Sequence, residues 1–376
     1  MELKGTQRKL INDLISKVPE VYQSIYLGDE LISRGCRDNE KERLEAIKHY
    51  FRDHQIVCDI GSNTGYFVIE LAKKFKNSVF ISIETNKDYA NLQAKLIELN
   101  KLKNIILING SISLDWLFRA EKSCVYFDLC LMLSVVHHLP YPKEFIAGMS
   151  RISKEMIIEL ASSSEKNVCG KEKSKLINDE FLYKLKKQVY ELNYKSSVHT
   201  DPNKKRRFLY FKEEPYVRKT YYPYINYIQS HPKGWNENSK TYLIESNSIE
   251  NTITKFPCNI KTNFKPGINI QDIVEIGAIS YPYKNIALTQ IIKNINFILS
   301  KTLIFDCKPW NMIFGKSGIE LIDYEDTSEA KFNKKLDINL IKEFINSNFK
   351  TPIKLTLKQR LKIVLKKFKS FIRNKQ

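Results

Sequence analysis

The stretch Val57-Cys58-Asp59-Ile60-Gly61-Ser62-Asn63-Thr64-Gly65-Tyr66-Phe67 constrains this chain more than any other. Its apolar run up to Asp59 suits a short strand buried on both faces. Gly61 and Gly65 suit a tight turn that brings backbone close to a ligand, because neither carries a Cβ. The helix that follows, read over Gly65–Phe75, points its first free N–H groups at that ligand. Apolar strands then alternate with helical patterns. Strands are expected at Ile56–Ile60, Val79–Ile83, Ile105–Ile108, Phe127–Leu133 and Met156–Leu160, and further helices at Asp88–Asn100, Trp116–Lys122 and Pro142–Ser150. This spacing predicts a mostly parallel sheet with right-handed crossovers, helices on both faces and a ligand beyond the carboxyl ends of the strands.

The chain of 376 residues suits two domains, and its 43% hydrophobic content supplies proper cores. Residues 1–55 read as a helical cover. Leu10, Leu14, Ile15 and Val18 keep helical spacing, and a second helix is expected from Asn39 to Phe51, entered through capping side chains at Asp38 and Asn39. Arg37 and Arg43 there read as solvated charges, with reach to a carboxylate as the other reading. Residues 166–205 read as a polar connector, with one helix over Lys171–Tyr194. The seven cysteines show no ligand or disulfide spacing, and no apolar run is long enough to span a membrane. The N-terminus shows no apolar signal core.

Four features between residues 37 and 160 fall in one order. Asp59 closes the first strand. Glu84 closes the second, 23 residues after Gly61, where a carboxylate can accept from both hydroxyls of a ribose. Asn109-Gly110-Ser111 follows the third strand, and Ser134-Val135-Val136-His137-His138-Leu139 follows the fourth. Asn63 stands where a dinucleotide turn has its middle glycine, which argues against a pyrophosphate. Together these resemble the motifs of class I S-adenosylmethionine-dependent methyltransferases. The resemblance implies a Rossmann-like domain over 56–165 and a cofactor site drawn from Asp59, Gly61, Ser62, Asn63, Gly65, Glu84, Thr85, Ser111 and Ser134. Ser111 stands where many members place an Asp on the adenine amino group. A His of near-neutral pKa, His137 or His138, would take a proton from the methyl acceptor.

Ile304-Phe305-Asp306-Cys307-Lys308-Pro309-Trp310-Asn311, followed by Leu321-Ile322-Asp323, resembles the catalytic loop and metal motif of protein-kinase-like enzymes. Ile304 replaces the motif His, and Glu325 replaces the D-F-G glycine. The resemblance implies a smaller α+β kinase-like domain over 206–350. In it Asp306 would orient an acceptor hydroxyl, Lys308 would neutralise the transferring phosphoryl group, and Asn311 and Asp323 would hold Mg²⁺ for Mg-ATP. Lys219 and Lys255 both fit the ATP-binding lysine. A hairpin is expected over Met312–Phe314 and Ile319–Ile322, after a helix at Ile286–Leu299.

Net charge is +19, and residues 354–376 hold nine Lys/Arg and no acid, about half of that excess. Leu357, Leu361, Leu365, Phe368 and Ile372 share one face, so this tail reads as a basic amphipathic helix for an anionic membrane, an acidic protein or RNA. The whole order resembles bifunctional methyltransferase–kinases that terminate surface polysaccharides. The function implied is O-methylation of a glycan or lipid-linked glycan, with a kinase-like domain that phosphorylates or binds the same acceptor, at the cytoplasmic face of a membrane. Two other readings stand beside it: an RNA or small-molecule methyltransferase whose second half only binds the acceptor, and a phosphotransferase with a scaffold methyltransferase domain. Neither the acceptor atom nor the oligomeric state follows from the sequence.

Overall fold

In the computed structural model the residues described are 5–37, 39–122, 125–165, 168–185, 187–198, 201–213, 240–244, 252–256, 260–263, 267–279, 303–305, 312–315, 318–321 and 324–326. After α1 (Gly5–Ile15), the hairpin β1 (Ile25–Leu27) and β2 (Glu30–Ser33), and α2 (Glu40–Ile47), the chain enters a strand–helix alternation. It runs β3 (Ile56–Ile60), α3 (Tyr66–Lys74), β4 (Val79–Glu84), α4 (Lys87–Leu99), β5 (Ile105–Gly110), α5 (Leu114–Lys122), β6 (Phe127–Leu133), α6 (Pro142–Ile152) and β7 (Ser153–Leu160). All these strands and helices lie where the spacing placed them, with ends shifted by at most three residues.

β5, β4, β3, β6 and β7 pair in parallel in that spatial order. Their side chains are buried on both sides, which is why the sequence shows continuous apolar runs instead of alternation. Ile56, Cys58 and Ile60 pack into one core beneath α5 and α6, while Val57 packs into the other with Phe67, Val68 and Leu71 of α3.

Residues 168–213 differ from the expected connector. Lys171–Leu176 is a 3₁₀ turn, α7 spans only Asp179–Lys184, and β8 (Lys187–Val198) begins where the single long helix was expected to continue. β8 pairs antiparallel with β9 (Asp201–Glu213), and β9 pairs antiparallel with β7, so both strands extend the sheet. The reason is a period of two. Leu192, Tyr194, Ser196 and Val198 turn inward while Asn193 and Lys195 are exposed, a pattern for a half-buried edge strand and not for a helix.

The entry to α2 also differs from expectation. Asn39 makes no capping bond; its amide donates instead to the carbonyl of Ser197 at 2.9 Å and to its Oγ at 3.1 Å, tying α2 to β8.

Beyond the sheet, β10 (Lys240–Ile244), β11 (Thr252–Phe256) and β12 (Ile260–Asn263) form an antiparallel ribbon with β11 in the middle. β13 (Ile268–Asn269), α8 (Ile270–Ile276) and β14 (Gly277–Ile279) follow, and β14 joins the main sheet beside β5. β15 (Leu303–Phe305) pairs antiparallel with β18 (Tyr324–Asp326), and β16 (Met312–Gly315) with β17 (Gly318–Leu321). The hairpin therefore falls where the sequence predicts it. The expected helix Ile286–Leu299 and the tail 354–376 lie outside the described residues.

Candidate active site

Every strand-end residue singled out from the parallel sheet lies at its carboxyl edge. After β3 the chain turns through Gly61 (φ 70°), Asn63 (φ 56°) and Gly65 (φ 84°). A Cβ on Gly61 would meet Val135 Cγ2 at 2.8 Å, and one on Gly65 would meet the Gln93 side chain at 2.6 Å. Both positions therefore need glycine for space as well as for backbone conformation. The turn is pinned to the next strand: the amides of Gly61 and Ser62 donate to the carbonyl of Ile83 at 2.9 and 3.2 Å. The amide of Asn63 donates to Glu84 Oε2 at 2.7 Å. Glu84 Oε1 accepts from the amide of Asn86 at 2.7 Å, so the carboxylate is locked in orientation.

Asp59 and Glu84 both face this turn and are buried, at 4% and 6% exposure. Burial, and then the charge of Glu84, push the Asp59 carboxyl up to about 7, with Arg43 opposing. Burial raises Glu84 as well, against the backbone amides that it accepts. Two carboxyls at strand ends, each made reluctant to ionise, form a set of acceptors that fits a ligand bearing an ammonium and a pair of hydroxyls. Thr85 and Ser111 are exposed beside them. Ser62 differs from expectation: it is buried, and its hydroxyl donates to Gln93 Oε1 at 3.0 Å, leaving only its backbone for the turn.

The sequence reading missed Glu159, which lies fully buried at the end of β7 and gathers a polar cluster. Arg37 and Arg43 both pair with it, and Ser196 Oγ donates to it. Ser134, held at φ 59°, donates from Oγ to Glu159 Oε2 at 2.5 Å and accepts from Arg37 Nη1 at 2.8 Å. Burial works against ionisation of Glu159, but Arg37, Arg43 and Arg206 outweigh it and hold its carboxyl well below the usual range. Arg37 and Arg43 are thus not solvated helix charges. The sequence signal is limited to a single carboxylate in the apolar stretch Met156-Ile157-Ile158-Glu159-Leu160, which calls for a buried cation without saying which one. Next to this cluster, Arg206 grips Glu165 in a fork, with Nη2 at 2.7 Å, and the Tyr22 hydroxyl accepts from Arg37 Nη1 at 2.8 Å. Three buried guanidinium groups here face two buried carboxylates, Glu159 and Glu165.

His137 and His138 lie in a 3₁₀ turn after β6, their rings 4.1 Å apart. Both pKa values are lowered from the ordinary histidine value, that of His137 well out of the near-neutral range expected of it. Burial, then His138 and Arg206, push His137 down to about 3. Partial burial, then Arg206 and Lys173, lower His138. Both rings are neutral at physiological pH. His138 is the exposed one, while His137 is buried with Nδ1 lacking a hydrogen-bond partner among the described residues. Gly170 (φ 72°) covers this turn so closely that a Cβ would lie 2.1 Å from the His137 carbonyl oxygen, and Lys173 Nζ donates to the Leu139 carbonyl at 2.6 Å. Asp306, Lys308, Asn311 and Asp323 lie outside the described residues.

A five-strand parallel core, an antiparallel strand inserted between its last strand and the edge, and a glycine turn answered by a ribose-distance carboxylate define a class I S-adenosylmethionine-dependent methyltransferase domain. Residues 51–213 match the family model described as a methyltransferase domain. The chain is 26% identical over 170 residues to the O-antigen chain terminator bifunctional methyltransferase/kinase WbdD of Escherichia coli, covering 42% of this chain and 23% of that protein. It is 23% identical over 161 residues to the probable (S)-tetrahydroprotoberberine N-methyltransferase 2 of Papaver bracteatum, covering 40% of this chain and 43% of the relative. The chain thus spans less than half the length of these curated relatives. A 2.2 Å crystal structure of WbdD aligns over 96% of this chain and 95% of that one, at 17% identity and a TM-score of 0.43.

Proposed function

We propose that this enzyme moves a methyl group from S-adenosylmethionine to an oxygen of a glycan or lipid-linked glycan, and that its second half is a kinase-like unit acting on or binding the same acceptor. The observation that carries the methyl-transfer reading is the pair Asp59 and Glu84 around the Gly61–Gly65 turn. Asp59 holds the ammonium of the cofactor, Glu84 its ribose hydroxyls, and the backbone of Gly61, Ser62, Asn63 and Gly65 closes over it. Thr85, Ser111 and Ser134 flank the remainder. When bound, S-adenosylmethionine supplies an electrophilic methyl group on a sulfonium. The chain contributes by positioning an acceptor oxygen in line with that methyl group. For a hydroxyl acceptor the neutral, exposed His138 takes the proton, and a phosphate oxygen needs no base.

The name of the Escherichia coli relative supports a glycan acceptor and a phosphotransferase partner domain. The pairing of Phe305 with Tyr324 supports the kinase-like reading, because it brings together the chain just before Asp306 and the chain just after Asp323. Lys255 lies in the central strand of its ribbon, which favours it over Lys219 as the ATP lysine. On this reading Asn311 and Asp323 hold Mg²⁺, Asp306 orients the acceptor and Lys308 neutralises charge. No helix among the described residues is long and apolar enough to cross a membrane. The basic segment 354–376 is the proposed contact with an anionic membrane at the cytoplasmic face.

The test is methyl transfer from labelled S-adenosylmethionine onto purified lipid-linked glycans, before and after treatment of the glycan with phosphatase. Transfer that disappears with Asp59→Ala or Glu84→Ala is expected. Transfer unaffected by either substitution would overturn the site. For the second half, Mg-ATP turnover that survives Asp323→Ala would remove the metal assignment.

A further inference from the structure

The five parallel strands leave β5 at one edge of the sheet, and β14 covers that edge from 165 or more residues further along the chain. The register is Gly277 opposite Gly110, Ala278 opposite Asn109 and Ile279 opposite Ile108. The contact is unusually close. A Cβ on Gly110 would lie 2.1 Å from the Ile276 carbonyl oxygen, and one on Gly277 would lie 2.3 Å from the Asn109 carbonyl oxygen. The same Ile276 carbonyl accepts from the amide of Ser111 at 3.1 Å. Asn109-Gly110-Ser111 is the loop read above as the flank of the cofactor.

From this loop fixed contacts run into the site. Asn109 Nδ2 donates to the carbonyls of Glu84 at 2.8 Å and Thr85 at 3.2 Å. Glu84 in turn holds the amides of Asn63 and Asn86. In the other direction, α8 is anchored to α5. Trp116 Nε1 donates to the Asp272 carbonyl at 3.1 Å, Arg119 pairs with Glu275 at 2.7 Å, and Ile268, Ile270, Ile273, Ile276 and Ile279 are all buried in the core on that face. β13, at the start of the segment, pairs with β16: Ile268 opposite Phe314 and Asn269 opposite Ile313. One short segment is therefore hydrogen-bonded at one end to the hairpin that follows Asn311, and at the other to the loop that locks Glu84.

We propose that Ile268–Ile279 is a strut through which the second half of the chain positions the cofactor subsite, with Ile276 and Gly277 as positioning residues for S-adenosylmethionine binding. This rests on the reading of the methyltransferase site given above. It makes the second half a part of the cofactor site's framework whatever chemistry it performs itself. Because the contacts are fixed in both directions, the coupling is reciprocal: ligand at Glu84 steadies the strut, and displacement of the strut weakens the ligand.

Amide hydrogen exchange on the full chain, with and without saturating S-adenosylhomocysteine, tests this without a substitution. The expected result is slower exchange over residues 268–279 in the complex, together with protection at Ser111. Exchange over 268–279 that is unchanged while calorimetry reports binding would overturn the strut and leave the site standing; absence of binding would overturn the site itself. Two substitutions give a second measurement. Gly277→Val forces β14 off Asn109, and Ala278→Pro removes the amide that the register sets against Asn109. Each is expected to raise the Kd for S-adenosylhomocysteine tenfold or more. Glu180→Gln, which loosens the exposed Lys184 pair on α7 outside the strut, is expected to leave it within twofold. A Kd within twofold of the parent in a folded Gly277→Val or Ala278→Pro chain would also overturn the proposal.

Discussion

Asp59, proposed above to bind the cofactor's ammonium, shows how burial and charge set such a residue against stability. Its folded pKa lies near 7, above its ordinary 3.8, so the unliganded protein loses stability as pH rises from about 4 to 7. Asp59→Asn is therefore expected to stabilise the unliganded protein by about 1–3 kcal/mol at pH 7.5, read by thermal denaturation. The same substitution should weaken S-adenosylhomocysteine at least tenfold. In the parent, affinity should rise with pH up to about 7 and then level, because binding of an ammonium requires the ionised carboxyl; Asp59→Asn should erase that slope in calorimetry. Glu159 has the opposite sign. Its folded pKa is depressed, so its contribution is present above the ordinary 4.5 and is lost as pH falls below it. Glu159→Ala would leave Arg37 and Arg43 buried without a counter-charge, a loss of about 3–5 kcal/mol. Glu159→Gln should lose less and should flatten the acid limb of a pH–melting curve.

At the scale of elements, the proposed acceptor side is made by pieces from late in the chain packed over pieces that come early. Ser196 of β8 and Arg37 before α2 meet on Glu159, and the turn at Gly170 seats over His137. Gly170→Ala has neither the left-handed backbone nor the space that this seat demands. It is expected to lower methyl transfer about tenfold. The Kd for S-adenosylhomocysteine should stay within twofold, since the glycine turn and Glu84 lie elsewhere. Equal losses in both measurements would show that the segment supports the whole domain instead of the acceptor side.

At the scale of the whole molecule, the methyltransferase sheet does not end where its family match ends. β14 covers the edge of β5, and five isoleucines of residues 268–279 cover the apolar surface around Trp116. A chain cut after residue 213 would expose an unpaired strand edge beside a large apolar patch, the usual template for self-association. Such a fragment is expected to elute as dimers or larger species in size-exclusion chromatography, at concentrations where the full chain shows no concentration dependence. A monodisperse, monomeric fragment would show that the edge is tolerated bare.

The strands and helices between 56 and 160 were legible because a parallel strand buried on both faces writes its burial as an unbroken apolar run, and the helices between write theirs at period 3.6. The glycine turn after β3 was equally legible, since glycine at Gly61 and Gly65 answers a local need for space and positive φ. The 171–198 region was misread because the edge strand β8 carries few apolar residues for its length, and those few fit both periods until a neighbour selects one. Glu159, Arg37, Arg43 and Ser134 could not be joined from sequence, because their partnership spans 97 and 122 residues and exists only once β6, β7 and α2 are side by side. What the amino acids determined alone was the parallel sheet and the glycine turn after β3, both products of local periodicity and backbone geometry. What the tertiary structure decided was which buried charges meet, that burial and neighbouring cations lower both histidine pKa values, and that a segment near residue 277 closes the sheet beside the Asn109–Ser111 loop, since each depends on distances that no local pattern records.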